Sequence, residues 1–104
     1  IRHYQPDIVL ANAIYDRHPD HGKGSELAFT ACFLAGLSKV ETTLDDKLQA
    51  PWRPRAVYHY IQSQHIAPDF VVDVSAFWEQ KMAAVRAFKS QFYDPSSKEP
   101  ETFI

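Results

Sequence analysis

Two short apolar runs bounded by chain-breaking residues limit the folds open to this chain. The first covers residues 8–11 (Ile-Val-Leu-Ala) shortly after Pro6, and the second covers residues 56–61 shortly after Pro54. A short, continuous apolar run of this kind is typical of a strand covered on both faces, as in a parallel sheet. We therefore predict one buried strand over residues 8–11 and another over residues 56–61.

Helical patterns alternate with these runs. Pro19 suits the first turn of a helix, where its missing N–H costs nothing, and residues 26–37 are apolar or small at nearly every position, which indicates a buried helix. A third strand is predicted over residues 70–74, followed by a helix for which Ser75 is a good N-cap. An apolar stripe marks that last helix and consists of Trp78, Met82, Val85 and Phe92.

The order strand, helix, strand, strand, helix favours an α/β fold with a partly parallel sheet. Residues 38–54 are predicted to form a loop with a short helical turn over residues 44–48. Three strands are too few for a full sheet with helices on both faces, so we expect further parts of the fold upstream, downstream or on another chain. The chain also begins at Ile1 rather than at a methionine, and we expect it to be part of a larger protein.

Composition excludes several classes of protein. The net charge of −2 argues against a nucleic-acid partner, and no apolar run approaches the ~18 residues that a membrane span needs. Two Trp, five Tyr and seven Phe are too many for a disordered chain. The single cysteine, Cys32, cannot form an internal disulfide, which fits a reducing compartment. The prediction is a globular cytoplasmic domain without a membrane partner.

The densest polar cluster is residues 16–21, Asp-Arg-His-Pro-Asp-His. It follows a predicted buried strand and begins a predicted helix, which is where ligands bind in open α/β sheets. If Pro19 is the first helical residue, His18 is the N-cap and His21 lies one turn further on, so both can face one point. Gly22 and Gly24 would allow backbone or ligand to approach closely.

Two interpretations of this cluster remain open from spacing alone. Two imidazoles beside a carboxylate suit a metal site, or a general acid with an orienting partner. The alternative is a polar helix N-terminus in which Asp20 complements the helix dipole. Two histidines are too few for a catalytic zinc site, which usually has three protein ligands, so the other ligands would come from elsewhere. Cys32 is interpreted as core, His59 as a packed strand residue, and Trp52 as an interface anchor or lid.

The cluster and its surroundings resemble a known enzyme family. Residues 15–23 (Tyr-Asp-Arg-His-Pro-Asp-His-Gly-Lys) and 31–37 (Ala-Cys-Phe-Leu-Ala-Gly-Leu) resemble the LmbE-like (PIG-L) zinc deacetylases. Residues 51–54, 68–75 and 88–92 are similar to the subgroup of bacillithiol biosynthesis, whose members remove acetate from N-acetylglucosaminyl malate.

The resemblance implies a Rossmann-like α/β fold, with a partly parallel sheet flanked by helices, and a role for each residue of the cluster. Zn²⁺ would be held by His21 and by a histidine and an aspartate of an N-terminal His-Pro-Asp-Asp motif. His18 would stabilise the oxyanion and protonate the leaving amine, Asp20 would orient His18, and Arg17 would bind the substrate. The N-terminal motif, which also supplies the catalytic base, is absent from this sequence.

Residues 1–104 are therefore interpreted as the C-terminal part of one deacetylase domain. We expect this part to be inactive alone, to depend on the missing N-terminal part of the same protein, and to form a homo-oligomer. The alternative is a non-catalytic binding or assembly module with a vestigial site. A nucleotide-binding half-domain is disfavoured, because no Gly-x-Gly-x-x-Gly follows a strand.

Overall fold

The computed structural model describes residues 1–89, which fall into two compact units. The first unit is Ile1–Pro68 and holds most of the regular structure. The second begins at Asp69 and is described as far as Lys89. In the described part of the chain, neither helix is long and apolar enough to cross a membrane.

A parallel pair of strands organises the first unit. Strand β1 (Ile8–Ala11) pairs in parallel with β4 (Ala56–His59), in a register that places Ile8 opposite Ala56 and Ala11 opposite His59. The backbone N–H of Tyr60 donates to the carbonyl of Ala11 at 3.1 Å and extends the ladder by one residue. These two predicted strands and the α/β class are confirmed, although the second strand ends at His59 rather than at residue 61.

Helix α1 (Pro19–Ala35) connects the two strands of this pair, and its start follows the local sequence signals. His18 is the N-cap, with extended backbone angles, and Pro19 is the first helical residue, as predicted. The helix ends at Ala35 with Gly36 as its C-cap, two residues before the predicted end. A Cβ at Gly36 would collide with the Arg53 side chain, so glycine is needed there for packing.

A buried arginine donates hydrogen bonds to backbone carbonyls at the C-terminal end of α1. Arg2 is only 7% exposed, and its guanidinium donates to the carbonyls of Ala35 at 2.9 Å and Leu37 at 2.8 Å and to Thr42 Oγ1 at 3.0 Å. The last carbonyls of a helix have no partner within the helix, and a cation near them is favoured by the helix dipole. Arg2 therefore joins the start of the chain to the end of α1.

The helical turn predicted over residues 44–48 is wrong. The segment is a hairpin of β2 (Thr43–Leu44) and β3 (Lys47–Leu48), which pair antiparallel. Asp45 and Asp46 between them have φ of 49° and 58°. Two consecutive left-handed residues are the requirement of a tight type I′ hairpin turn, and aspartate tolerates that conformation better than most residues.

The predicted burial of the strands and of α1 is also wrong for the residues that the structure describes. Leu10 of β1 and Leu27 of α1 are both 71% exposed, and only Ser25 and Cys32 are buried in α1. The apolar sequence pattern is real, but no apolar layer formed by residues 1–89 covers these side chains. Cys32 is core, as predicted, and burial raises the pKa of its thiol.

In the second unit, the sequence predictions are partly corrected. Residues 70–74 form no strand, because no segment of the described chain pairs with them. Ser75 is not an N-cap but the first residue of a 3₁₀ turn, Ser75–Phe77, and its N–H donates to Asp73 Oδ1 at 2.8 Å. Helix α2 (Trp78–Arg86) follows, with Lys81 Nζ 5.2 Å from the centre of the Trp78 ring. The predicted stripe residue Phe92 lies outside the described residues.

We predict that Arg2→Met lowers the free energy of unfolding by about 3 kcal/mol, because it removes the charge-assisted hydrogen bonds to Ala35, Leu37 and Thr42. Urea unfolding monitored by circular dichroism measures the change. Lys39→Met, the loss of an exposed positive charge, is the matched control and should change stability by less than about 0.5 kcal/mol. Equal effects of the two substitutions would contradict the role assigned to Arg2.

Candidate functional site

Two loops meet at the carboxyl ends of the parallel strands. One loop follows β1 and leads to α1, and the other follows β4. They are joined by a hydrogen bond of 3.2 Å from the backbone N–H of Ala13 to Gln62 Oε1. Parallel strands end at the same edge of a sheet, so the two loops are brought together by topology although they are distant in sequence.

The Asp16 carboxylate connects these loops to α1. Its side chain is 0% exposed. Oδ1 accepts from the Ser63 hydroxyl and from three backbone N–H groups, those of Ser63 at 3.2 Å, Gln64 at 3.0 Å and Arg17 at 2.7 Å. The other oxygen, Oδ2, is hydrogen-bonded to Nδ1 of His21. Hydrogen bonds hold the pKa of Asp16 well below its ordinary value. The Ser63 hydroxyl has the largest effect, followed by His21 and the backbone donors.

The hydrogen bond to Asp16 determines which ring nitrogen of His21 carries a lone pair that could bind a metal. An ionised carboxylate can only accept hydrogen bonds, so Nδ1 of His21 carries a proton and donates it to Oδ2. In the neutral imidazole, Nε2 then holds the lone pair. The His21 side chain is 33% exposed, and histidines that bind metals usually donate their other ring N–H to a carboxylate in this way.

Nδ1 of His18 accepts a hydrogen bond, whereas Nδ1 of His21 donates one. The backbone N–H of Asp20 donates to His18 Nδ1 at 3.2 Å, so the imidazole acts as the cap of α1. The ring must be unprotonated at Nδ1 to accept this bond, and its proton then sits on Nε2. The carboxylate of Asp20 lies 3.9 Å from the same Nδ1, an ion-pair distance rather than a hydrogen bond. The rings of His18 and His21 are 5.2 Å apart between centroids.

A second group of polar contacts fixes the helix against the strand ends. His59, the last residue of β4, has its Nδ1 2.8 Å from Ser25 Oγ and 3.0 Å from the carbonyl oxygen of Asn12. The Tyr60 hydroxyl donates to Asn12 Oδ1 at 2.6 Å. A Cβ at Gly24 would lie 3.3 Å from Asn12 Nδ2, so a glycine there permits the close approach of helix and loop that the sequence suggested.

The other predicted positions lie around this cluster. Arg17 comes directly before the N-cap and is exposed, with its backbone N–H on Asp16. Trp52 is held within its own unit, since its indole N–H donates to the carbonyl of Pro6 at 2.9 Å. His18, Asp20 and His21 share the first turn of α1, as the spacing predicted.

As a zinc site, the cluster fits one ligand. His21 offers Nε2 with the correct tautomer, but no group of three or more His, Cys, Asp or Glu side chains able to hold a metal occurs within residues 1–89.

The sequence did not reveal Asp16 as the partner of His21, and it gave no indication of a role for Ser63 or Gln64. The signal that could have found them is the parallel pairing of β1 with β4, which places the loop after each strand at one edge.

These features define an α/β unit with a carboxylate–histidine pair at the carboxyl ends of two parallel strands. No family model matches the chain. A solved structure, the conserved protein TT1542 from Thermus thermophilus, is similar to it, with 42% sequence identity and a TM-score of 0.75. The match covers 88% of this chain and 39% of TT1542, so the chain spans well under half the length of that protein.

We predict that His18→Ala costs about 1 kcal/mol of stability, because it removes the acceptor that caps α1, whereas His18→Asn restores most of the loss. Asparagine is among the best N-cap residues and replaces the imidazole acceptor with an amide oxygen. Urea midpoints of the two variants and the unaltered protein decide the matter. If the alanine variant is as stable as the unaltered protein, His18 does not serve as a cap.

Proposed function

We propose that this chain belongs to a zinc-dependent deacetylase of the LmbE-like (PIG-L) family, which hydrolyses the N-acetyl group of an N-acetylglucosaminide in the cytoplasm. N-acetylglucosaminyl malate, the substrate of the bacillithiol subgroup, is the proposed substrate. The observation that carries the proposal is the pair of neighbouring imidazoles whose ring nitrogens are used in opposite senses. His21 keeps a lone pair on Nε2, and His18 keeps a proton on Nε2.

His21 is the proposed zinc ligand, through Nε2. The remaining ligands and the catalytic base are proposed to come from the N-terminal part of the same protein, in a His-Pro-Asp-Asp motif. That part would complete a Rossmann-like sheet around β1 and β4. The exposed apolar side chains of Leu10 and Leu27 support the idea, because a further layer of the fold would remove them from water.

Amide hydrolysis needs a Lewis acid, an activated water and a proton donor for the leaving amine, and the residues of this cluster would supply part of this set. When bound, zinc supplies a Lewis acid for the amide carbonyl and lowers the pKa of a water toward ~7. The oxygen of a water would bond to the acetyl carbon and lose a proton to the catalytic base expected in the N-terminal part, and the carbon–nitrogen bond would then break. A His18 imidazolium, paired at Nδ1 with the Asp20 carboxylate, would donate its Nε2 proton to the departing amine nitrogen and return to the neutral ring, and the products would be acetate and the free amino sugar. The half-exposed position of His18 leaves it accessible to a substrate.

Arg17 is the proposed substrate-binding residue. It is exposed directly beside His18, and its backbone is fixed by the hydrogen bond to Asp16. A guanidinium can bind a carboxylate through two parallel hydrogen bonds, and malate offers two carboxylates. Asp20, on the first turn of α1, would orient His18 once that imidazole is protonated. A homo-oligomer is proposed as the assembled form.

The second candidate function is a non-catalytic binding or assembly module in which the histidine cluster is vestigial. The large exposed apolar residues of α1 favour it, since Leu27, Phe29 and Phe33 would suit an interface with another protein. The two candidates differ in zinc binding. A module of this kind needs no metal, whereas the deacetylase requires zinc at His21.

We predict that, in the intact protein, His21→Ala abolishes zinc binding, whereas His18→Asn retains zinc and loses about 100-fold or more in turnover of N-acetylglucosaminyl malate. The first change removes a ligand, and the second removes a proton donor but keeps an N-cap acceptor. Zinc content by mass spectrometry and steady-state rates are measured on the same samples, after circular dichroism shows that each variant is folded. Full zinc occupancy in the His21 variant would contradict the assignment.

We predict that Arg17→Lys raises KM for the malate glycoside about 10-fold, because a lysine cannot reproduce the two parallel hydrogen bonds to a carboxylate. Such a change corresponds to the loss of about 1.4 kcal/mol of binding. Zinc content should not change. N-acetylglucosamine, which has no carboxylate, is the matched control substrate and should be affected much less. An equal loss with both substrates would show that Arg17 supports the scaffold or the chemistry instead.

A further inference from the structure

We infer that Asp16 is a positioning residue that sets the tautomer of His21, and that the loop at Ser63 and Gln64 holds Asp16 in the orientation this requires. The inference rests on the proposed function, because the purpose of the tautomer is to present Nε2 of His21 to zinc. Asp16 itself touches neither metal nor substrate in this account. It acts through the imidazole.

The geometry of the carboxylate divides its two oxygens between two tasks. Oδ1 is surrounded by donors only: the hydroxyl and N–H of Ser63 and the N–H groups of Gln64 and Arg17. Oδ2 is hydrogen-bonded to Nδ1 of His21. The three backbone donors are fixed by the paths of two loops and do not depend on any side-chain rotamer.

This division makes an isosteric substitution informative. In Asp16→Asn, the amide oxygen must occupy the Oδ1 position, because an NH₂ group placed there would face donors and accept none of their hydrogen bonds. The NH₂ group then occupies the Oδ2 position and points at Nδ1 of His21. An amide NH₂ can only donate, so Nδ1 must accept, and the imidazole proton moves to Nε2. The substitution therefore inverts the tautomer and blocks the nitrogen that would bind zinc.

The tautomer can be read without metal or turnover. In the zinc-free intact protein labelled with ¹⁵N-histidine, two-bond ¹⁵N–¹H correlation spectra distinguish Nδ1–H from Nε2–H imidazoles at about pH 8.5, above the ordinary pKa of histidine. The His21 signals are identified by their loss in His21→Gln. We expect the Nδ1–H form in the unaltered protein and the Nε2–H form in Asp16→Asn.

Two further variants separate this effect from a general disturbance of the fold. Asp20→Asn makes the same chemical change four residues away, on a carboxylate that lies 3.9 Å from Nδ1 of His18, and should leave the His21 tautomer unchanged, because Nδ1 of His21 is bonded to Asp16. Ser63→Ala removes the hydroxyl donor on Oδ1 but keeps the N–H groups of Ser63 and Gln64, so it should also preserve the Nδ1–H form.

An Nε2–H tautomer of His21 in the unaltered protein overturns the inference, even if Asp16→Asn does not fold. An Nδ1–H tautomer that persists in a folded Asp16→Asn variant overturns it as well.

Zinc affinity, measured by competition with a chelating dye, distinguishes failure of this inference from failure of the proposed function. We expect Asp16→Asn to weaken zinc binding by about 10- to 100-fold, the range found when the carboxylate partner of a metal-bound histidine is altered. Unchanged zinc affinity in that variant overturns the positioning role and leaves the deacetylase proposal standing. If the unaltered protein binds no zinc, the deacetylase proposal fails, and the metal part of this inference fails with it.

Discussion

The buried carboxylate of Asp16 is the interaction on which the rest of the site depends. A charge removed from water is tolerated only when hydrogen-bond donors replace the solvent. Here the donors come from the loop after β4, from the residue that follows Asp16, and from the first turn of α1. Because all three segments donate hydrogen bonds to one carboxylate, that carboxylate fixes the loops and His21 relative to one another.

The two histidines of the cluster then differ through their surroundings, although they lie three residues apart on one helix. His21 donates from Nδ1 to a carboxylate, and His18 accepts at Nδ1 from a backbone N–H. Nδ1 therefore donates in His21 and accepts in His18. As a result, Nε2 carries a lone pair in His21 and a proton in His18. A metal ligand requires the lone pair on Nε2, and a hydrogen-bond donor to a developing oxyanion requires the proton there. The helix start at Pro19 supplies the spacing, and the hydrogen-bond partners supply the difference.

Local signals predicted those features whose physical cause is local. The strand at Ile8–Ala11, the N-cap at His18 and the first helical residue at Pro19 each follow from a few neighbouring residues. The hairpin was missed because consecutive left-handed aspartates are unusual and become favourable only when strands pair on either side. The role of Asp16 was missed because its partner Ser63 lies 47 residues later in the chain. Burial was overestimated at Leu10 and Leu27, since apolar periodicity shows which side is suited to a core and not which part of a protein covers it.

In the proposed site, zinc binds to Nε2 of His21 and not to Nδ1, while Asp16 stays on Nδ1. A crystal structure of the intact protein loaded with zinc, with anomalous diffraction measured on both sides of the zinc absorption edge, tests this most directly. We expect an anomalous peak about 2.0–2.1 Å from His21 Nε2, the usual zinc–nitrogen distance, with the hydrogen bond between Asp16 and Nδ1 intact. A peak bonded to Nδ1 with Asp16 displaced, or zinc bound away from His21, would contradict it.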